Sequence, residues 1–382
     1  MSNIQNLKEV TLSVRGMSRF GNGGMKLIES VIFKNYKGFK ELYLDNMQAI
    51  TLIAGKNNAG KSSLLEGIFL FMDHSSPESF LKINAFRGAP VTSVSVRMWE
   101  PLFYNFCTDQ PMTIEVKGKK IAGELSYRKD DTFVPINTEQ IPPEQMNAFI
   151  NSAKSSYTLE YQYKSNDYNE KGHFSIGSGG ILRNVMTSLP GNRVQPMAFT
   201  QYLNSRLIWN DSAIVDWYGQ LELQGMKKEV VDALRAIDDR ISDISTISSD
   251  GMVQLYVNIS GSLIPLKLAG DGMYRLLYLV MALLAHPGSL LLVDEIENGF
   301  HHSMYTKLWE LLAKISKKSD CQIIATTHSY ECIAASVEGM KNAGRTKDFC
   351  LSRLECAEGI GKSYNYTSDL LEHAINSDLE VR

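Results

Sequence analysis

The loop at residues 55 to 63 constrains this chain more than any other feature. Its sequence is Gly55-Lys56-Asn57-Asn58-Ala59-Gly60-Lys61-Ser62-Ser63. An apolar run, Ile50 to Ala54, precedes the loop, and a second, Leu64 to Met72, follows it. A strand, a G-x-x-x-x-G-K-S loop and a helix in this order are typical of a phosphate-binding P-loop. We therefore expect this loop to bind ATP, with the lysine facing the phosphates and the Ser62 hydroxyl ligating Mg²⁺.

Composition narrows the class of protein. The chain has 382 residues, 44% of them hydrophobic, which is enough for one large or two ordinary domains. A net charge of −3 excludes a generally basic nucleic-acid-binding chain, so any such contact has to be a local patch. The five cysteines are scattered without C-x-x-C spacing, and the longest apolar run, Leu276 to Ala285, is too short to cross a bilayer. We expect a reduced, cytoplasmic protein with no membrane partner.

A second apolar run ends in two carboxylates. Leu290 to Val293 is followed directly by Asp294 and Glu295. Buried parallel strands have such continuous apolar sequences, and ligands of α/β proteins bind at the carboxyl ends of these strands. Together with the P-loop, this pattern predicts that Asp294 holds the Mg²⁺ shell and that Glu295 polarises the attacking water. The expected enzyme is a slow ATPase that converts ATP and water to ADP and phosphate.

Two further segments complete the expected site. Gly270, Asp271 and Gly272 open the apolar helix that precedes the strand of Asp294, and a glycine-rich helix N-terminus can bind an anion. The alternative is an ordinary turn in which Asp271 is the N-cap. His328 follows the next apolar strand after Asp294 and fits a switch histidine that contacts the γ-phosphate. The alternative is a structural histidine at a strand end.

A long insertion separates the two halves of the nucleotide-binding core, because Lys61 and Asp294 are much further apart in sequence than in compact P-loop NTPases. Period-two alternation, as in Met112 to Val116, predicts antiparallel strands in the insertion, with a polar helical insert near residues 142 to 155. Apolar spacing predicts helix over residues 211 to 242. The predicted domains are an N-terminal extension (1–25), the first half of an α/β core (26–90), a β-rich insertion (91–200), a helical subdomain (201–260) and the second half of the core (261–382).

These motifs resemble those of the ABC-type ATPases of the OLD/RecF/SMC-like group, over residues 26 to 75 and 262 to 370. The resemblance implies an ABC-type P-loop core with Asp294 as the metal-site acid and Glu295 as the catalytic base. It implies that Gly270 to Gly272 is a signature loop, which caps the γ-phosphate bound by the other protomer of a head-to-tail dimer. Gln201, after a predicted strand at residues 197 to 200, is implied as the Mg²⁺- and water-sensing glutamine.

The chain departs from its larger relatives in two ways. No segment sustains coiled-coil heptads. The sequence that follows His328, up to Arg382, is expected to be too short for the Toprim nuclease of full-length OLD proteins. The chain therefore resembles the standalone ATPase of a two-gene anti-phage defence system, such as AriA of PARIS with its Toprim-like nuclease AriB; the Septu ATPase is the nearest rival. This implies a homo-oligomer of head-to-tail dimers, a separate nuclease-like effector and a phage trigger protein.

Two other functions remain open. A RecF-like DNA-repair ATPase acting on DNA ends or gaps needs a basic surface, and direct DNA binding is undecided. The candidate patch is Lys117, Lys119, Lys120, Arg128 and Lys129, although charged hairpin tips are usually only solvated. A transporter ATPase needs a membrane partner and an L-S-G-G-Q signature, from which the segment 268 to 272 departs. A nuclease, repair or permease gene beside this one would discriminate among the three.

Overall fold

The computed structural model describes residues 26–76, 78–88, 99–130, 158–166, 168–177, 180–188, 198–205, 211–249 and 251–382. The predicted N-terminal extension, residues 1 to 25, and the polar insert near residues 142 to 155 lie outside the described residues.

The elements of the described residues are as follows. The strands are β1 (Ser30–Tyr36), β2 (Phe39–Leu44), β3 (Ile50–Ala54), β4 (Met112–Lys117), β5 (Gly123–Asp130), β6 (Thr158–Lys164), β7 (Asn169–Gly177), β8 (Gly180–Ser188), β9 (Thr200–Leu203), β10 (Ile241–Ser249), β11 (Met252–Ile259), β12 (Ser262–Pro265), β13 (Leu290–Val293), β14 (Gln322–Thr326), β15 (Phe349–Ala357) and β16 (Ile360–Thr367). The helices are α1 (Lys61–Met72), α2 (Ser79–Phe86), α3 (Asp211–Leu223), α4 (Lys227–Arg235), α5 (Asp271–Ala285), α6 (Tyr305–Lys318), α7 (Tyr330–Asn342) and α8 (Ser368–Asn376).

The larger sheet of the described residues is mixed and has 13 strands in the order β8-β7-β6-β5-β4-β1-β2-β16-β15-β3-β14-β13-β9. The strands around β3 are parallel: β3 pairs with β14 and β15, and β13 pairs with β14 and β9. Strands β4 to β8 are antiparallel and join the same sheet through the pairing of β4 with β1. The β-rich insertion therefore continues the sheet of the nucleotide-binding core.

The parallel strands are buried on both faces, which explains their continuous apolar sequences. In β13, Leu291 and Val293 pack into one hydrophobic core with helices α3 to α7, whereas Leu290 and Leu292 pack into the other core with α1. A strand fixed on both faces holds the residues at its carboxyl end in defined positions. Asp294 is the first of these residues.

The helix predicted over residues 211 to 242 ends earlier than its apolar spacing suggests. Helix α4 stops at Arg235, and Ile241 begins β10, which pairs with β11 in a separate three-stranded sheet. The apolar residues of the pattern, including Ile237 and Ile241, are all buried in one core. Their spacing therefore indicates that all of them pack against one core. A helix followed by a strand produces this packing as well as one long helix does.

Among the described residues, none of the helices is both long enough and apolar enough to cross a membrane. All five cysteines are free, and Cys321, Cys332 and Cys350 are buried.

Candidate active site

The loop between β3 and α1 needs glycine at two positions. Gly55 has a φ of +145° and Gly60 a φ of +91°. A Cβ on Gly55 would lie 2.3 Å from the carbonyl oxygen of Leu354, and one on Gly60 would lie 2.2 Å from the Phe39 ring. Side chains are thus excluded by neighbouring atoms as well as by conformation. Gly60 is the N-cap of α1, so the positive end of the helix dipole lies at this loop, as phosphate binding requires.

Lys61 is the first residue of α1, and its side chain folds back into the loop. Its Nζ donates to the carbonyl oxygens of Gly55 at 2.6 Å and Lys56 at 3.0 Å, and it lies 3.3 Å from Nδ1 of His328. Burial lowers the pKa of Lys61 to about 8, against the opposing charge of Asp294 and two nearby glutamates. The loop therefore holds a desolvated cation beside an imidazole.

Asp294, which follows β13, connects the P-loop to the end of β14. Its Oδ1 accepts hydrogen bonds from Ser62 Oγ at 3.0 Å and from Thr326 Oγ1 at 2.6 Å. The residue is almost fully buried. Burial raises the pKa of Asp294, and the two hydroxyl donors counteract that rise. A hydroxyl and a carboxylate that are distant in sequence thus form one cluster of oxygen atoms.

Glu295 has an unusual backbone conformation. Its φ is +49°, in the left-handed region that residues other than glycine rarely adopt. The N–H group donates to Thr326 Oγ1 at 2.9 Å, and Oε2 accepts from Asn298 Nδ2 at 2.6 Å. The other oxygen, Oε1, lies 3.5 Å from Nε2 of His328. Asn298 thus fixes the carboxylate, which faces the same imidazole that contacts Lys61.

His328 joins the two halves of the site. It follows β14 closely, and its two ring nitrogens face Lys61 and Glu295. Its backbone N–H donates to Oε1 of Glu297 at 2.7 Å, which fixes the loop that carries the ring. The P-loop, Asp294, Glu295 and His328 are therefore brought together at the carboxyl ends of β3, β13 and β14.

The predicted signature loop lies at the start of α5. Gly270, with a φ of +95°, is the N-cap, and Asp271 is the first residue of the helix. The alternative in which Asp271 caps this helix is therefore wrong. Gly270 and Asp271 are exposed, whereas a Cβ on Gly272 would lie 2.2 Å from the carbonyl oxygen of Gly299. The loop thus leaves its first two residues accessible to solvent and packs its third against the segment after β13.

Gln201 does not join this cluster. Instead of following a strand at residues 197 to 200, it lies within β9, opposite Leu291 of β13. Residue 197 itself lies outside the described residues. The side-chain oxygen of Gln201 accepts a hydrogen bond from the Tyr278 hydroxyl at 2.9 Å. Because β9 runs further than its sequence pattern indicates, the residue at its carboxyl end beside the site is Asn204.

Two family models match the chain. One, described as "AAA domain, putative AbiEii toxin, Type IV TA system", matches residues 155–334, and the other, an "AAA ATPase domain", matches residues 25–180. An "ATP/GTP phosphatase" of Helicobacter pylori is 26% identical over 360 residues, which are 86% of this chain and 93% of that protein. The uncharacterized protein MJECL10 of Methanocaldococcus jannaschii is 30% identical over 149 residues, which are 34% of this chain and 68% of that protein.

A solved structure of an Smc head, bound to the C-winged helix domain of ScpA, has a similar fold. Its TM-score is 0.50 at 13% identity, and the match covers 91% of this chain and 99% of that one. The chain is an ATPase with the fold of an SMC head. The α/β class and the ABC/SMC-like P-loop core predicted from the sequence are thereby confirmed.

This ATPase has a second cation beside its P-loop that the sequence motifs did not indicate. Arg87 donates to both carboxylate oxygens of Glu66, at 2.9 and 2.8 Å, and to Ser63 Oγ at 3.1 Å. The Glu66 side chain is buried in α1 and also pairs with Lys37. A single carboxylate within the apolar residues of α1 was the signal that a cationic partner must exist.

A third cation of the ATPase, Arg275, is buried behind the two carboxylates. Its guanidinium donates to the backbone carbonyl oxygens of Asn204, Asp294 and Glu295. No local motif identifies this role, because the bonded residues lie on segments that are distant in sequence from α5.

Proposed function

We propose that this ATPase is the sensor and scaffold subunit of an anti-phage defence system and that it holds and controls a separate nuclease effector. The observation that carries the proposal is the family model over residues 155–334, whose description names an AbiEii toxin and a Type IV TA system. Within this class, the PARIS ATPase AriA is the proposed counterpart. ATP binding and hydrolysis then set the state of the effector, and a phage protein is the trigger.

The proposed reaction is attack of water on the γ-phosphorus of ATP, with cleavage of the bond to the β–γ bridging oxygen. Lys61 neutralises phosphate oxygens, because its ammonium lies inside the loop that surrounds them. Glu295 takes the proton of the attacking water on its Oε1, the oxygen not bound by Asn298. His328 lies between these two groups and donates to the γ-phosphate in this proposal.

The oxygen cluster at Asp294 fits Mg²⁺. Hydroxyl and carboxylate oxygens are ligands that this ion prefers, and Ser62 Oγ lies 3.0 Å from Asp294 Oδ1. That distance is close to the separation of about 2.9 Å between neighbouring ligands of an octahedral site with bonds of about 2.05 Å. Bound Mg²⁺ supplies charge neutralisation of the β- and γ-phosphate oxygens.

The proposal includes head-to-tail dimers as the unit of a homo-oligomer. Gly270 and Asp271 are accessible at the N-terminus of α5, where backbone N–H groups and the helix dipole attract an anion. In the proposed dimer, the signature loop Gly270 to Gly272 of one protomer caps the γ-phosphate held by the P-loop of the other.

The role of Glu295 predicts the behaviour of Glu295→Gln. The amide still accepts the bond from Asn298 but cannot take a proton, so ATP affinity is retained while hydrolysis slows by about 100-fold or more. Equilibrium binding of ATP and phosphate release are the measurements. Glu310→Gln is the control, since Glu310 pairs with Lys314 on the outside of α6. Full turnover by Glu295→Gln would show that another group is the base.

Purification of the tagged ATPase from its native operon tests the effector. A nuclease-like protein is expected to co-purify, in an amount that differs between wild type and Glu295→Gln because the variant accumulates the ATP-bound state. Mass spectrometry identifies the partner, and added phage lysate is expected to release or activate it. Recovery of the ATPase alone, or of a permease, would contradict the defence role.

One surface favours a second candidate, a RecF-like DNA-repair ATPase. Lys117, Lys119 and Lys120 lie at the end of β4 and in the turn that follows it. The patch is partly neutralised, because Lys117 pairs with Glu115 and Arg128 pairs with Glu160. Salt-dependent binding of gapped DNA that is lost in the double variant K119E/K120E would favour repair, and the absence of DNA binding would favour defence.

A further inference from the structure

Arg275 connects the helix that begins with the signature loop to the ends of two strands. Its Nη1 donates to the carbonyl oxygen of Asn204 at 3.1 Å. Its Nη2 donates to the carbonyl oxygens of Asp294 at 3.2 Å and Glu295 at 3.0 Å. One side chain near the start of α5 therefore bonds to the residues that follow both β9 and β13.

The burial of this guanidinium is unusual for a residue that serves packing alone. Arg275 is only 1% exposed, and burial lowers its pKa while the charges of Asp294, Glu295 and Glu297 raise it. Its bonded partners are backbone carbonyl oxygens. The guanidinium therefore contributes its planar arrangement of N–H donors and makes no direct ion pair. An apolar side chain would fill the same space without desolvating a charge.

The backbone that Arg275 holds includes the strained residue Glu295. A left-handed φ of +49° persists in glutamate only where surrounding contacts enforce it. The N–H of Glu295 is bound by Thr326, its carbonyl oxygen by Arg275 and its carboxylate by Asn298. Of these contacts, the one made by Arg275 comes from the helix bearing the signature loop.

A second contact makes this connection stiff. Gly272, in the first turn of α5, touches the carbonyl oxygen of Gly299 so closely that no Cβ fits between them. A Cβ on Gly299 would in turn lie 3.3 Å from Cδ of Arg275. A shift of the start of α5 toward Gly299 therefore displaces the segment that carries Glu295 and Asn298.

We propose that Arg275 is a positioning residue that sets the carboxylate of Glu295 according to the position of the signature helix. When loop Gly270 to Gly272 seats on the nucleotide of a neighbouring protomer, the displacement of α5 reaches Glu295 of the same chain through this guanidinium. The part concerning the neighbour rests on the proposed head-to-tail dimer, whereas the positioning of Glu295 does not. Each protomer thereby adjusts its own catalytic base to the nucleotide state of its partner.

Arg275→Lys is the decisive variant, because lysine keeps the charge but has one nitrogen in place of the two that bond to separate segments. We expect kcat to fall by at least about tenfold while the Kd for ATP changes by less than about twofold. Arg275→Met removes the charge as well, and its kcat is expected to fall further. If Arg275→Met fails to fold, Arg275→Lys still decides the question.

Arg345→Lys is the matched control. Arg345 is 2% exposed and donates to Ala313 O and Ser316 Oγ, so it is an equally buried arginine away from the nucleotide site. We expect a comparable fall in Tm with kcat unchanged. If Arg345→Lys loses as much kcat as Arg275→Lys at the same Tm, Arg275 has only a structural role.

A third measurement separates positioning from dimer formation. ATP-dependent dimerisation of Glu295→Gln, followed by light scattering, is expected to be unchanged when Arg275→Lys is added, because the accessible loop is intact. Wild-type kcat in Arg275→Lys overturns the inference. If Glu295→Gln never dimerises, the proposed head-to-tail dimer fails instead, and the loss of kcat in Arg275→Lys still reports positioning of Glu295 within one chain.

Discussion

The buried ammonium of Lys61 makes ATP binding dependent on pH. Its pKa is lowered to about 8, so the free protein loses this charge as the pH rises through that value. Bound phosphates favour the charged form, and binding above this pH therefore takes up a proton. We predict that ATP affinity is constant below about pH 8 and falls by up to about tenfold per pH unit above it, in titrations with labelled ATP.

Lys61→Arg is the control for this titration, because a guanidinium stays charged throughout the range. Its affinity is expected to be independent of pH, whereas Lys61→Ala is expected to lose ATP binding altogether. An equal slope in Lys61→Arg would assign the pH dependence to another group. The stability of the free protein has the opposite sign: it rises between about pH 8 and about pH 10.4, because the unfolded chain holds the proton more tightly there.

The sequence motifs selected residues that stand directly after a buried strand, and the structure brings these residues together. The P-loop, Asp294 and His328 all follow apolar runs, and parallel strands place their carboxyl ends at one edge of a sheet. Gln201 was misplaced because a strand as short as β9 carries too little periodicity to fix its end. Arg275 was missed because hydrogen bonds between distant segments depend on tertiary packing, which the spacing of residues does not encode.

The contact between the first turn of α5 and the segment after β13 predicts a cost for one methyl group. Gly272→Ala places a Cβ against the carbonyl oxygen of Gly299, which forces a backbone shift. We expect the free energy of unfolding to fall by about 1–3 kcal/mol and hydrolysis to slow, since the shifted segment carries Glu295. Chemical denaturation and phosphate release measure the two effects.

Gly219→Ala is the matched substitution for this test. Gly219 lies within α3, and a Cβ there meets nothing within 4 Å. Alanine at this position is expected to stabilise the protein by about 0.5–1 kcal/mol through helix propensity, with hydrolysis unchanged. A Gly272→Ala protein as stable and active as wild type would mean that the backbone at this contact moves without cost to stability or activity.

At the scale of elements, periodicity predicted whether a segment is a helix or a strand better than it predicted where the segment begins and ends. Strand β3 has the bounds of the apolar run Ile50 to Ala54, because that run is short and flanked by turn residues. The helical pattern over residues 211 to 242 failed at its end, where Ile241 is as buried in a strand as it would be in a helix. Burial of one face is common to both elements, so apolar spacing alone does not place the transition.

For the molecule as a whole, the continuous sheet was the least predictable feature. The β-rich insertion was expected as a separate region, and its strands instead extend the core sheet because β4 pairs with β1 across an interval that includes the P-loop. Pairing between distant strands leaves no periodic signal in either one. A consequence is that the insertion and the nucleotide site share one sheet, so displacement of one can be transmitted to the other.

The proposed site shared between two chains predicts rescue when two inactive variants are mixed. Lys61→Ala removes the P-loop cation, and Asp271→Arg alters the accessible predicted signature loop without replacing the N-cap residue of the helix, which is Gly270. Each variant alone is expected to be inactive. In an equal mixture, a heterodimer has one intact site, built from the P-loop of the second variant and the signature loop of the first, so about a quarter of wild-type activity is expected.

Mixing Lys61→Ala with Glu295→Gln is the control, because both changes fall in the half of the site that belongs to one chain and no intact site can form. Failure of the first mixture to recover phosphate release, under conditions in which labelled subunits exchange, would show that each chain hydrolyses ATP without its neighbour's loop.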